Sequence, residues 1–108
     1  MKRLLRANRE FTAFVAFNDI SAIGAIRALH EAGLRVPQDV SVVGFDDIVS
    51  AEFSVPSLTT VRQPLTEMGN LGASILLERI ADPERKYEPS IFVEPRLMVR
   101  ESTAKAPA

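Results

Sequence analysis

Residues 11–17, FTAFVAF, and residues 40–45, VSVVGF, decide the fold, because each is a nearly unbroken apolar run of strand length. Between them, residues 22–29 carry apolar side chains at three- and four-residue spacing, which predicts an amphipathic helix. Gly33 can supply the left-handed residue that ends this helix, and residues 36–39, VPQD, predict a turn. A strand, a helix and a strand in this order predict two parallel strands, each buried on both faces, joined by a right-handed crossover.

Shorter elements are predicted outside this unit. Together they complete an α/β fold, a parallel sheet with flanking helices. The predicted elements are the end of a helix at residues 1–10, a loop or short helix at 48–57, a strand at 58–62, a helix beginning at Pro64 and ending before residue 82, strands at 90–94 and 96–100, and a frayed tail at 102–108.

The composition is that of a soluble globular protein. Of 108 residues, 46% are apolar and 25% are charged, and the net charge is −1 from 13 basic and 14 acidic residues. No basic stripe is present to neutralise phosphates, so this stretch is not expected to bind nucleic acid by itself. The chain has no cysteine, no apolar run long enough to cross a bilayer and no apolar segment typical of a signal peptide. We therefore expect no membrane association and a cytoplasmic location.

The sequence contains few of the motifs that are typical of enzymes. The sequence has no Gly-x-Ser-x-Gly elbow, no phosphate-cradling loop and no dinucleotide fingerprint. A phosphate-accepting receiver domain would need a lysine after a late strand, but the lysines are Lys2, Lys86 and Lys105. His30, the single histidine, lies inside the predicted helix and is expected at the surface rather than at a metal. We predict no catalytic activity, no metal and no cofactor.

Polar side chains follow each of the first three predicted strands. Asn18 and Asp19 follow the first, Asp46 and Asp47 the second, and Gln63 the third. The carboxyl ends of parallel strands meet at one edge of a sheet, where ligands of such folds bind. Carboxylates and amides suit a ligand rich in hydroxyl groups. The simpler alternatives are that Asn18 or Asp19 only caps the helix, that Asp46 and Asp47 form a solvated turn, and that Gln63 is a loop residue.

Several motifs, in order and spacing, resemble the effector domain of the LacI/GalR family of transcriptional regulators, from about residue 11 to residue 102. They are Asn18-Asp19, AIGA at residues 22–25, GLRVPQDVSVVGFDD at 33–47, PSLTTVRQP at 56–64 and PRLMVRES at 95–102. The resemblance implies the C-terminal part of a two-lobed domain similar to periplasmic sugar-binding proteins. Residues 1–62 and 90–102 would then belong to the C-terminal lobe, and residues 63–89 would cross to the N-terminal lobe.

The resemblance also implies a site and a partner surface. Asn18, Asp46 and Gln63 match the positions that contact sugars in family members, whereas Asp19 matches the cap of the helix. Family dimers pack through the helix after Asn18-Asp19 and the loop before residue 56, which suggests an interface. Its predicted residues are Ile23, Arg27, Phe53 and Val55.

The function implied by the resemblance is the sensing and dimerisation part of a repressor-type regulator. Its expected partners are a sugar-like effector, a second copy of the chain, and operator DNA bound only through an N-terminal domain that lies outside this sequence. A periplasmic sugar-binding protein of an uptake system is the alternative, because it shares the fold and the three site residues. A non-functional remnant is a third possibility.

Overall fold

The computed structural model describes residues 1–7 and 10–108, and the chain divides into two compact units. The first unit comprises Met1–Arg62 and Arg96–Ala108, and the second comprises Gln63–Pro95. The elements of the first unit are α1 (Lys2–Arg6), β1 (Ala13–Val15), α2 (Asp19–Glu31), β2 (Ser41–Val43), α3 (Val49–Phe53), β3 (Thr60–Arg62) and β4 (Arg96–Met98). The second unit holds α4 (Leu65–Ala81). No helix in these described ranges is long and apolar enough to cross a membrane.

The predicted strand–helix–strand unit is present. β1 and β2 pair in parallel, with Ala13 opposite Ser41 and Val15 opposite Val43, and α2 is the connection between them. The residue after α2 is Ala32, and Gly33 has a φ of +78°, which agrees with its predicted place at the end of the helix. The turn predicted at residues 36–39 is also present.

The strands after β2 form a second two-stranded sheet, which isolated bridges join to the first. Parallel bridges join Val43 to Thr59 and Asp46 to Arg62, so that β3 lies beside the end of β2. β4 then pairs with β3 in antiparallel orientation, with Arg62 opposite Arg96. The unit therefore combines parallel pairing around β2 with one antiparallel edge, a common arrangement in α/β folds.

The core of the first unit lies between α2 and the sheet. Leu29, Leu58 and Val42 are its largest fully buried apolar side chains. Each of them contributes about 1.5–3 kcal/mol through removal of its apolar surface from water. The remaining core positions are small or β-branched residues that allow the helix to approach the strands, namely Ala16, Ala22, Ile26, Val40 and Ala51.

Three sequence predictions are wrong in detail. β1 is not buried on both faces, because Val15 and Phe17 are 75% and 90% exposed and nothing in the described residues covers that face. Residues 90–94 form no strand, because a strand needs a hydrogen-bonding neighbour and the second unit contains none. The helix predicted to begin at Pro64 begins at Leu65, with Pro64 as its N-cap. The part of the predicted 1–10 helix end at residues 8 and 9 lies outside the described residues.

The predicted fraying of the tail is also wrong at its start. Ser102 is fully buried, and its hydroxyl donates to the carbonyl of Val42 at 2.6 Å and accepts from the N–H of Thr59 at 2.8 Å. The backbone carbonyl of Ser102 accepts the N–H of Val42 at 2.8 Å. These bonds satisfy backbone groups of β2 on the side away from β1, so the tail takes part in the sheet.

Gly44 provides the first testable position, because an added Cβ would lie 2.1 Å from Oδ1 of Asp19 and 2.8 Å from Leu58. We expect Gly44→Ala to lower the melting temperature, with a loss of about 1–3 kcal/mol from overpacking. Gly24→Ala is the matched control, because nothing lies within 4 Å of an added Cβ in the middle of α2. Alanine there should be neutral or stabilise by about 0.5–1 kcal/mol. Equal melting temperatures for the two variants would contradict the packing described for Gly44.

Candidate functional site

The polar residues after β1 and β2 lie at one edge of the sheet. The backbone N–H of Asp19 donates to the carbonyl of Phe45 at 2.9 Å, and the N–H of Asp46 donates to the carbonyl of Val61 at 3.0 Å. Asn18 precedes Asp19 and Asp46 follows Phe45, so these bonds hold both residues next to each other at the carboxyl ends of the strands. The structure therefore brings together two of the three predicted contact residues.

Asn18 is the N-cap of α2. It has an extended backbone, with φ at −154°, and its Oδ1 accepts the N–H of Ser21 at 2.9 Å. The cap uses the side-chain oxygen only and does not require the amide NH2 group. Asp19, which the family resemblance suggested as the cap, is the first residue of the helix, and that prediction is wrong.

Asp19 instead ties together three elements beneath the site. Its carboxylate is fully buried, and Oδ2 accepts the N–H of Ile48 at 2.8 Å while Oδ1 accepts the hydroxyl of Thr60 at 2.5 Å. Its place in the first turn of α2 adds the favourable field of a helix N-terminus. A buried carboxylate needs this full set of donors, because an unpaired charge in the interior is very costly.

The turn after β2 has an unusual backbone. Asp46 has a φ of +114° and Asp47 a φ of +57°, and both lie in the region that favours glycine. Such residues cost about 1–3 kcal/mol each and persist only where their surroundings hold them. Here the hydrogen bond from Asp46 to Val61 and the contacts of the Asp47 side chain hold the turn.

The Asp47 carboxylate forms a cluster with two arginines. Its side chain is 4% exposed, Oδ2 accepts Nε of Arg62 at 2.5 Å, and Oδ1 pairs with Nη2 of Arg100 at 2.7 Å. Burial raises the pKa of Asp47, but the hydrogen bonds and charges of Arg62 and Arg100 outweigh it and hold that pKa below its usual range. The alternative of a solvated turn is therefore wrong for Asp47. No local sequence pattern predicts this cluster, because Arg62 and Arg100 are distant from Asp47 along the chain.

Gln63 is the first residue of the second unit, and it follows Arg62 directly along the chain. Its backbone carbonyl accepts the N–H of Leu65 at 2.9 Å, at the start of α4. The participation of Gln63 in a ligand site stays a prediction. His30 is exposed on α2, as expected.

A groove of about 560 Å³ runs between α2 and the segment that follows α3. Three of the four predicted interface residues, Ile23, Arg27 and Val55, line it. Val55 is 92% exposed, and Phe53 is also largely exposed although it does not line the groove. The other apolar lining residues are Ile26, Leu34, Val36 and Pro56.

Known proteins place this architecture in a family. Residues 1–103 match the family described as the periplasmic binding protein-like domain, and the chain belongs to that family. Its relatives confirm the more specific resemblance to the effector domain of LacI/GalR regulators.

Three relatives illustrate this. The HTH-type transcriptional repressor PurR of Salmonella arizonae is 44% identical over 107 residues, which is 99% of this chain and 31% of the relative. A LacI family transcriptional regulator from Enterococcus faecium with bound ribose is 39% identical, with a TM-score of 0.85 over 98% of this chain and 38% of that one. The lac repressor dimer bound to operator and the anti-inducer ONPF is 33% identical, with a TM-score of 0.85 over 94% of this chain and 35% of that one. The chain thus spans 31% of the curated repressor.

Asp19 offers a test of how the site is supported. Asp19→Asn keeps the size of the side chain but replaces one acceptor oxygen by a donor that faces the N–H of Ile48 or the hydroxyl of Thr60. We expect a loss of about 2–3 kcal/mol in the free energy of unfolding. Asp82→Asn is the matched control, because Asp82 is exposed at the end of α4, and it should change stability far less. Chemical denaturation measures both, and a comparable loss in the two variants would refute the structural role of Asp19.

Proposed function

We propose that this chain is part of the effector-sensing domain of a cytoplasmic, DNA-binding transcriptional regulator of repressor type that responds to a sugar or a similar small polar metabolite. The observation that carries the proposal is the placement of Asn18 and Asp46 at one strand-end edge. The similarity to a curated repressor and to a ribose-bound regulator supports it. The proposal includes no catalytic step, cofactor or metal. Uptake, the alternative role, is not proposed, because no observation favours it.

The proposed contacts are Asn18, Asp46 and Gln63. The amide NH2 of Asn18 would donate to a ligand oxygen, and the carboxylate of Asp46 would accept two hydroxyl protons. Gln63 would add an amide that both donates and accepts. Each contact is expected to be worth about 1–3 kcal/mol, because its loss leaves a desolvated ligand group unpaired. Phe45, 38% exposed and next to Asp46, could cover the apolar face of a sugar ring.

We propose that residues 1–62 and 90–102 belong to a C-terminal lobe and that residues 63–89 cross to an N-terminal lobe. The division of the chain after Arg62 supports the first boundary of this route, whereas the second unit of the structure extends to Pro95. The composition of α4 supports it too, because the helix has no buried residue and exposes apolar side chains that a lobe would cover. These side chains are Leu65, Met68, Leu76, Leu77 and Ile80.

Regulation would follow from a ligand that binds one arrangement of two lobes more tightly than another. A ligand shifts an equilibrium only through such a difference in affinity. In the proposed regulator, operator DNA is bound by an N-terminal domain outside this sequence, and the lobe arrangement changes the spacing of two such domains in a dimer. The operator-bound dimer of a similar protein supports this assembly.

We propose that two copies pair through Ile23, Arg27, Phe53 and Val55. The exposed apolar lining of the groove supports this, because burying Val55 and its neighbours against a second chain would remove them from water. Arg27 also lines the groove, and its Nε donates to Glu31 on the same helix at 3.1 Å.

Two variants of Asn18 separate ligand binding from helix capping in the full-length protein. Asn18→Ser keeps a capping oxygen but loses the amide donor, whereas Asn18→Ala loses both. With D-ribose, D-glucose, D-galactose and cellobiose titrated by calorimetry, we expect Asn18→Ser to weaken binding roughly tenfold or more at an unchanged melting temperature. Asn18→Ala should also lose about 1 kcal/mol of stability.

The same titrations can refute the proposal. If the wild-type protein binds none of the four sugars, the proposal that its effector is a sugar is refuted. Unchanged affinity in Asn18→Ser would remove Asn18 from the site.

The dimer is tested by Val55→Glu, which places a charge among the apolar residues of the groove. We expect a shift from dimer to monomer in sedimentation equilibrium, because the carboxylate would lose its hydration in the interface, at a cost that pairing with Arg27 does not recover. Val99→Glu is the matched control, since Val99 is also largely exposed in the first unit but does not line the groove. A Val55→Glu protein that remains dimeric would contradict this interface.

A further inference from the structure

We infer that Asp47 is a positioning residue for effector binding, which holds the carboxylate of Asp46 in place without touching the ligand. The inference rests on the proposed function of the strand-end edge. Asp46 and Asp47 are adjacent acidic residues, and as whole residues both are half-buried. The side chain of Asp47, however, is only 4% exposed and pairs with two arginines.

Both oxygens of Asp47 are engaged by the protein. Arg62 pairs with Oδ2 and Arg100 with Oδ1, at 2.5 and 2.7 Å. Hydrogen bonds between charged partners are shorter and stronger than those between neutral groups, and removal of one partner leaves the buried charge uncompensated. Because the protein uses both oxygens and solvent barely reaches them, Asp47 is poorly suited to hold a ligand.

The two arginines anchor the turn to separate parts of the sheet. Arg62 ends β3, and its backbone bridges that of Asp46. Arg100 follows β4, and its Nη1 donates to the carbonyl of Leu58 at 2.9 Å while its backbone N–H donates to the hydroxyl of Thr59. The carboxylate of Asp47 thus joins the turn to β3 at both of its ends.

This anchorage matters because the turn is strained. Asp46 and Asp47 both have positive φ values, and strained residues relax unless their surroundings restrain them. The N–H of Asp46 donates to the carbonyl of Val61, and the next residue is held by the ion pairs of Asp47. Loss of those ion pairs should let the backbone of Asp46 move, so that its carboxylate no longer has a single orientation.

Asp47→Asn is the informative variant. Asparagine accepts the left-handed region as readily as aspartate does, so the backbone remains tolerated while the charge is lost. The variant also leaves Arg62 and Arg100 close together without their shared anion. The test uses the full-length protein, with the same four sugars as probes and deuterium exchange of the peptide that carries the Asp46 amide.

We expect Asp47→Asn to weaken sugar binding roughly tenfold or more and to speed exchange at the Asp46 amide by about tenfold or more. Asp39→Asn is the control for loss of an arginine-paired carboxylate elsewhere. Leu29→Val is the control for loss of stability in the core. Both controls should keep their affinity within about twofold, because neither touches the turn.

Arg62→Met and Arg62→Lys test the same ion pair at a half-exposed side chain, should Asp47→Asn fail to fold. Methionine should reproduce the loss of affinity, whereas lysine should restore part of it.

Each outcome is decisive. Weaker binding together with faster exchange, in the absence of either change in the controls, supports the positioning role. Unchanged affinity or unchanged exchange in Asp47→Asn overturns it. If the wild-type protein binds none of the sugars, the proposed sugar-sensing function fails, and the role of Asp47 is judged from exchange at the Asp46 amide alone. Faster exchange in Asp47→Asn then supports the restraint of the turn by Asp47, and unchanged exchange overturns it.

Discussion

The architecture of the first unit depends on one buried carboxylate. Asp19 accepts hydrogen bonds from Ile48 and Thr60, and its own N–H donates to Phe45. The start of α2 is thereby tied to the segment after β2 and to the start of β3. Gly44 is required beside it, since any side chain there would collide with the carboxylate. If these donors moved away, a buried charge would be left unpaired at a large cost in free energy. The backbone segments that carry the donors are therefore held in one arrangement.

The candidate site is built directly on this support. Asn18 and Asp46 lie on either side of the bond between Asp19 and Phe45, so their positions are set by backbone hydrogen bonds rather than by mobile side chains. The strained turn at Asp46 and Asp47 adds a local cost that the ion pairs of Asp47 offset. Strain of this kind is typical of places where a fold trades stability for the orientation of a functional group.

Among the exposed apolar surfaces of the described residues, α4 and the groove beside α2 suit different occupants. α4, in the second unit, exposes a stripe of leucine and isoleucine along its length, which fits the interior of the lobe that the family relationship implies. The groove beside α2, in the first unit, combines exposed apolar residues with Arg27 at its face, a mixture common in interfaces between proteins.

The sequence by itself determined the parallel crossover from β1 through α2 to β2, the long helix α4 and the polar residues at the strand ends, because periodicity and turn residues are local signals. The tertiary structure decided which acidic residue does what. Asn18, not Asp19, caps α2; Asp19 is buried; Asp47 pairs with two arginines; and Ser102 joins the sheet instead of fraying. It also left β1 exposed on one face and residues 90–94 without strand pairing. These outcomes depend on residues that are distant along the chain. Only the tertiary structure determines which polar groups are hydrogen-bonded and which apolar faces are buried, because both depend on contacts between such distant segments.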